Sequence, residues 1–220
     1  MKKYVIIVAG GTGVRMHSDI PKQFLNINGQ PILFHTIRCF DGFLKGIPII
    51  LVLPEPYIDY WKSITKKNDF NINHQVTKGG ESRFHSVKNG LELLGEPGLV
   101  AIHDGVRPLV SKETLQRVFL KAEKSGNAIP AITVAESMRK VGADSSEPVN
   151  RENFRLIQTP QCFHSDLIRK AYDQDFKDEF TDDASVVEAL GIKINLVEGN
   201  PENIKITRPG DLKFAETLLK

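Results

Sequence analysis

The chain has 220 residues, 40% hydrophobic and 25% charged, the make-up of a soluble globular protein long enough for one large α/β domain. Its 29 Lys and Arg nearly balance 27 Asp and Glu, for a formal charge of +2. That excludes a nucleic-acid wrapper or a polybasic membrane binder, so any handling of anions must rest on basic residues gathered locally. Cys39 and Cys162 stand far apart, giving neither a disulfide framework nor a zinc module. The apolar run after Met1-Lys2-Lys3 is too short for a secretion signal, and no stretch approaches the roughly 18 apolar residues of a membrane span. A cytoplasmic location is expected.

In chain order, a strand is predicted over Tyr4–Ala9 and a helix over Pro31–Phe43. A strand follows over Ile47–Leu53, a helix over Tyr57–Lys67, a strand over Ile72–Thr77 and a helix over Ser82–Leu94. Leu99–His103 reads as a strand, Lys112–Ser125 as a helix with Ser111 as its N-cap, and Ala128–Ile132 as a strand. The runs at 4–9, 47–53 and 99–103 are almost continuously apolar, as strands covered on both faces are. Residues 134–160 are polar and lack a helical pattern; patches at Ser137–Val141 and Phe154–Ile157 suggest a hairpin-like arm. Thr181-Asp182-Asp183 caps a predicted helix over Ala184–Leu190, stopped by Gly191. A strand over Lys193–Val197 and a last helix from about Pro209 to Leu219 complete the chain. Alternating strands and helices predict an α/β fold with an open, doubly wound, mostly parallel sheet, whose ligands bind at the carboxyl ends of the strands.

Three segments at such strand ends carry the candidate chemistry. Ala9-Gly10-Gly11-Thr12-Gly13-Val14-Arg15-Met16, with Pro21-Lys22-Gln23-Phe24 behind it, offers backbone N–H groups and two cations to a phosphate. It is not a dinucleotide fingerprint, because Met16 occupies the third glycine position, and it lacks the GK[ST] of a P-loop. Gly79-Gly80-Glu81-Ser82-Arg83-Phe84-His85-Ser86 reads either as a second ligand loop or as a simple N-capping turn. In His103-Asp104-Gly105-Val106-Arg107-Pro108, Asp104 suits a magnesium ion bridging phosphates and Arg107 a phosphate; a structural Asp–Arg pair is the alternative. Lys205 and Arg208 flank the last helix start. The histidines show no metal spacing, and there is no GxSxG elbow.

These segments, with Arg151-Glu152-Asn153-Phe154-Arg155-Leu156-Ile157-Gln158-Thr159-Pro160, the Thr181–Ser185 stretch and Asn203-Ile204-Lys205-Ile206-Thr207-Arg208-Pro209, stand in the order and spacing of one nucleotidyltransferase family. From Lys3 to Leu219 the chain resembles the 2-C-methyl-D-erythritol 4-phosphate cytidylyltransferases; the ribitol-5-phosphate cytidylyltransferases are the alternative. The resemblance implies a single Rossmann-like nucleotidyltransferase domain over residues 1–220, Mg²⁺ as cofactor, CTP as co-substrate, and a homodimer joined by the 134–160 arm. It implies no nucleic-acid or membrane partner. Arg15, Lys22 and Lys205 would be catalytic. Ala9, Gly10, Gly11, Gly80, Glu81, Ser86 and Asp104 would bind the nucleotide, with Asp104 serving the metal. Arg107, Ser137, Arg151, Thr181 and Lys205 would bind the polyol phosphate, Arg151 in the neighbouring subunit's site. Ser137 stands where threonine is usual, Glu136 where aspartate is, and Gly105 where alanine is frequent.

Overall fold

In a computed structural model that describes residues 1–10 and 20–219, the first apolar run forms the middle of a sheet. Strand β1 (Lys2–Val8) pairs in parallel with β4 (Ile49–Leu53) on one side and β6 (Gly98–Asp104) on the other. Strand β5 (Gln75–Lys78) extends the parallel set beyond β4. Beyond β6 the direction alternates. Antiparallel β11 (Gln161–His164) separates β6 from β7 (Asn127–Thr133), and β12 (Leu196–Glu198) closes the eight-stranded sheet in parallel with β7. The remaining member, β10 (Arg155–Ile157), runs antiparallel along β7 ahead of β11. Two short strands, β2 (Asn26–Ile27) and β3 (Gln30–Pro31), pair separately.

The unbroken apolar runs are explained by the two faces they serve, since successive side chains of a strand point to opposite sides. Val5, Ile7, Leu51 and Ala101 pack into one layer with α1 (Ile32–Phe43), α2 (Ile58–Lys67) and α4 (Lys112–Ser125). Tyr4, Ile6, Val52 and Ile102 pack into the other with α3 (Arg83–Glu92), α5 (Ser165–Tyr172) and α6 (Asp183–Glu188). In the first layer Trp61 meets Phe34 edge-on at 5.4 Å, and Phe34 stacks on Phe70 at 4.1 Å. The buried Trp61 Nε1–H donates to His74 Nε2 at 2.9 Å, so the indole is buried without stranding its one donor. A smaller cluster of Ile27, Ile32, Val106, Ile206 and Ala215 seats α7 (Pro209–Leu218) beside the end of β6.

The helix starts follow the side chains that cap them. Ser111 Oγ accepts from Thr114 N at 3.1 Å to open α4, as its position predicts. Asp182 Oδ1 accepts from Ser185 N at 2.9 Å while Ser185 Oγ accepts from Asp182 N, a reciprocal box opening α6.

Several elements depart from the expectations. Strands β2, β3 and β11 and helix α5 lie where no such element is predicted. The arm is also paired differently from the two expected patches. Its hairpin is β8 (Met138–Val141) against β9 (Ser146–Val149), closed by Gly142 N donating to Ser145 O. The second patch instead becomes β10 and joins the main sheet, with Arg155 opposite Thr133 and Ile157 opposite Ala131. Pairing a strand is a choice between distant partners, which local pattern does not specify.

Candidate active site

The carboxyl ends of β1 and β6 meet the loop before α3 and the segment after β12 around a cleft of about 300 Å³. Volume does not single it out, since a cavity of about 380 Å³ opens at the other end of β1 and β4, beside Lys2 and Asn73. Its chemistry does: Lys22, Arg83 and Lys205 line it together with Asp104 and Glu81.

Each side of the cleft is fixed locally. Buried Gln23 donates from Nε2 to Ala9 O at 2.6 Å, tying the Pro21–Phe24 turn to the end of β1. The 79–86 loop folds onto the first turn of α3, where Gly80 N donates to Ser86 Oγ at 3.1 Å. A Cβ at Gly80 would come within 2.4 Å of His85 Cβ, so only glycine permits this close approach. Asp104 N donates to Thr159 Oγ1 at 3.1 Å. Burial pushes the His103 pKa down to about 4, so the imidazole is neutral. Arg107 O can only accept, which puts the ring's one proton on Nε2 at 3.0 Å and leaves Nδ1 to accept from the Thr159 hydroxyl at 3.0 Å.

Asp104 is the electrostatic centre. Its Oδ2 lies 3.1 Å from Lys205 Nζ and 3.2 Å from Arg107 Nε, and its Oδ1 lies 3.8 Å from Arg83 Nε. Burial alone would raise the carboxyl's pKa, but Arg83, Lys205 and Arg107 together hold it far below the usual carboxylate range. Arg107 also donates from a terminal nitrogen to Asn203 O at 2.7 Å, and buried Asn203 donates from Nδ2 to Thr159 O at 2.8 Å. The segment carrying Lys205 is thus bolted to the one carrying Asp104.

Behind Asp104 lies a second carboxylate. Asp183, fully buried at the start of α6, accepts both terminal nitrogens of Arg83 at 2.8 and 2.6 Å and the Tyr172 hydroxyl at 2.6 Å. Burial opposes the Arg83 charge, but Asp183 outweighs it and keeps the guanidinium firmly protonated. Removing Arg83 would leave the fully buried Asp183 charge without its cation, at a cost of about 3–5 kcal/mol.

Among the described residues no group of three or more His, Cys, Asp or Glu side chains is arranged to hold a metal. Among the described residues the cleft offers one buried carboxylate and no imidazole or thiolate ligand set, which suits Mg²⁺ carried mainly by substrate phosphates and does not suit zinc.

Of the residues singled out from sequence, Ala9, Gly10, Lys22, Gly80, Glu81, Ser86, Asp104 and Lys205 line this cleft, and Arg107 adjoins it through Asp104. Thr181 is exposed just ahead of the α6 cap. Ser137 and Arg151 are exposed on the arm, away from these side chains, with Arg151 bonded to Ala135 O. Gly11 and Arg15 lie outside the described residues. Sequence reasoning gave no role at the site to Gln23, Arg83, His103, Thr159 or Asn203, and Asp183 only a part in capping a helix. Arg83 carried one local signal: it is the first residue of α3, where the helix dipole disfavours a cation, so its charge needs a partner from elsewhere.

A profile of the family IspD: 2-C-methyl-D-erythritol 4-phosphate cytidylyltransferase matches residues 3–220. The 2-C-methyl-D-erythritol 4-phosphate cytidylyltransferases of Bacteroides fragilis and Bacteroides thetaiotaomicron are 52% and 51% identical to it over 219 residues, with 100% of each chain covered. A solved 4-diphosphocytidyl-2C-methyl-D-erythritol synthase from Anaerococcus prevotii superposes with a TM-score of 0.83 at 30% identity, covering 99% of this chain and 96% of that one. With its fold, its cleft and a match over the whole length in agreement, the chain belongs to the 2-C-methyl-D-erythritol 4-phosphate cytidylyltransferase family.

Proposed function

We propose that this cleft is where the chain, as a single nucleotidyltransferase domain, transfers CMP from CTP to 2-C-methyl-D-erythritol 4-phosphate, releasing pyrophosphate. The family matched is that of the methylerythritol enzyme rather than of the ribitol one. The observation that carries the site assignment is the convergence of Arg83, Arg107 and Lys205 on Asp104 beside the glycine end of β1. In this reading Gly80, Glu81 and Ser86 take the cytosine and ribose. The triphosphate lies over residues 9–11 with Arg15 and Lys22. The polyol phosphate lies toward Arg107, Lys205 and Thr181.

The chemistry suits a site without a general base. A phosphate monoester has its second pKa near 6, so at neutral pH its oxygen is already an anionic nucleophile. That oxygen attacks the α-phosphorus, the bond to the bridging oxygen breaks, and pyrophosphate leaves with the electron pair. The protein's task is to hold two anions in line and neutralise the charge that develops on the leaving group. Arg15 and Lys22 serve the triphosphate, and Lys205 and Arg107, set by Asp104, serve the incoming phosphate. Asp104 would be the protein's ligand for Mg²⁺, which would supply further positive charge to the phosphates.

The arm is read as the dimer element, with Ser137 and Arg151 serving the neighbouring subunit's polyol phosphate. Support comes from the exposed apolar side chains Val141, Phe154 and Leu156 on and beside it, which a partner surface would cover. No helix among the described residues is long and apolar enough to cross a membrane, and the cytoplasm is the proposed location. The test is pyrophosphate release from CTP with methylerythritol phosphate and with ribitol 5-phosphate, side by side. Turnover with the former and little with the latter is expected; preference for ribitol phosphate, or no release with either, would overturn the reading.

A further inference from the structure

The cleft's third cation has no part in the roles assigned above. Arg83 stands at the first position of α3, within the 79–86 loop that the nucleotide reading uses, yet its two terminal nitrogens are spent on Asp183 at the start of α6. Asp183 comes two residues after Thr181, which is proposed above to face the polyol phosphate. One side chain therefore joins the base-side loop to the start of α6, across 100 residues of sequence. Its remaining nitrogen, Nε, faces Asp104 Oδ1, whereas Lys205 and Arg107 both engage Oδ2.

The fork cannot turn freely. Asp183 is fully buried, and the Tyr172 hydroxyl donates to its Oδ1 at 2.6 Å, so the carboxylate plane is set from behind. Tyr172 is itself buried, stacked on Phe84 at a ring separation of 4.6 Å. A planar guanidinium gripped at both ends of a fixed carboxylate has one orientation left, and it holds Nε 3.8 Å from Asp104 Oδ1, an ion-pair contact rather than a hydrogen bond. A lysine would meet the charge requirement but could not span both Asp183 oxygens and still face Asp104.

We propose that Arg83 is a positioning residue for the transfer reaction: clamped on Asp183, it fixes Asp104 from the oxygen opposite Lys205 and Arg107, and so sets those two cations for the incoming phosphate. Arg83 acts through Asp104 and need not touch either substrate. The proposal rests on the site assignment above. Its signature is a loss in kcat that exists only while Asp104 is present.

The experiment measures kcat and the KM of each substrate by pyrophosphate release for the parent, R83Q, D104N and the R83Q/D104N double variant, with thermal unfolding recorded for each. R83Q is expected to lower kcat ~10–100-fold, as loss of an outer positioning partner commonly does, while KM for CTP moves less than about 3-fold. The double variant is expected to be no slower than D104N alone, because a residue that works through Asp104 has nothing to add once Asp104 is gone. Multiplied losses in the double variant would overturn the proposal, as would a folded R83Q within about 2-fold of the parent kcat. If R83Q does not fold, R83K carries the same comparison, since it keeps a charge against Asp183 without the fork. A folded R83K with parent kcat overturns the proposal. Parent-like activity of D104N would instead remove the site assignment itself, a failure separable from that of Arg83.

Discussion

Gly90 and Gly42 both sit inside helices, yet alanine is expected to destabilise at one and stabilise at the other. A Cβ on Gly90 would lie 2.8 Å from Ile6 Cγ2 and 3.2 Å from Val52 Cγ2, both on the sheet beneath α3. Carbon contacts are comfortable at about 3.5–4.0 Å, and these methyls belong to β-branched side chains that cannot swing aside. Overpacking of this kind costs about 1–3 kcal/mol, against ~1 kcal/mol of helix propensity gained over glycine. G90A should therefore lose up to ~2 kcal/mol, and G90V more, because added methyls deepen the clash while its propensity gain is smaller. At Gly42, exposed in α1, a Cβ meets nothing within 4 Å, so G42A should gain up to ~1 kcal/mol. For a chain of this size each kcal/mol moves Tm by about 2–4 °C, which scanning calorimetry resolves. The first turn of α3 bears Ser86, whose Oγ holds Gly80 N, so lifting the helix should also raise KM for CTP in G90A and leave it unchanged in G42A. If G90A raised Tm as G42A does, α3 would not be seated on Ile6 and Val52, and the close-packing argument would fail.

Lys22→Ala should lower kcat by ~10²–10³-fold with the fold intact, the usual loss for one donor to developing charge; near-normal turnover of the purified variant removes Lys22 from the mechanism. Mixing Arg151→Ala subunits with Lys22→Ala subunits should restore about a quarter of parental activity after exchange, since half of the random two-fold dimers pair unlike chains and each of those completes one site of two. No recovery would confine Arg151 to its own chain. His103 should make the protein acid-sensitive above the range where carboxylates titrate. Its folded pKa of about 4 lies below the ordinary 6.5, so the stability it contributes is complete above pH 6.5 and lost as pH falls toward 4. That loss is about 3 kcal/mol, read as the difference in denaturant midpoints against a His103→Asn variant; parallel pH profiles for the two proteins would refute it.

The parts legible from sequence are those whose information is local. Ile49–Leu53 and Gly98–Ile102 are apolar at every position, which already requires cover on both faces, and Ser111 and Asp182 mark helix starts by the bonds their own side chains make. The cleft lining was legible because glycines and charges at strand ends are local features too. What escaped depends on distant partners. Phe154–Ile157 could pair with the arm or with the sheet, and only the free edge of β7 decides. Nothing local ties Arg83 to Asp183, 100 residues away, or Thr159 to the Asp104 N–H.

The arm leaves the sheet at the end of β7 and re-enters as β10, whose Arg155 faces Thr133 across the ladder. Directly opposed residues in such a ladder are only about 5 Å apart, so the departure and return points are neighbours whatever lies between them. The hairpin of β8 and β9 bonds to itself, and beyond its base it asks nothing of the sheet. Lengthening a loop so closed costs only about 0.6 kcal/mol per doubling. The hairpin is in effect a detachable module: between Met138 and Val149 its length and sequence can drift with the surface it meets, while the flanking Ser137 and Arg151 and the register holding Thr159 against Asp104 stay unchanged.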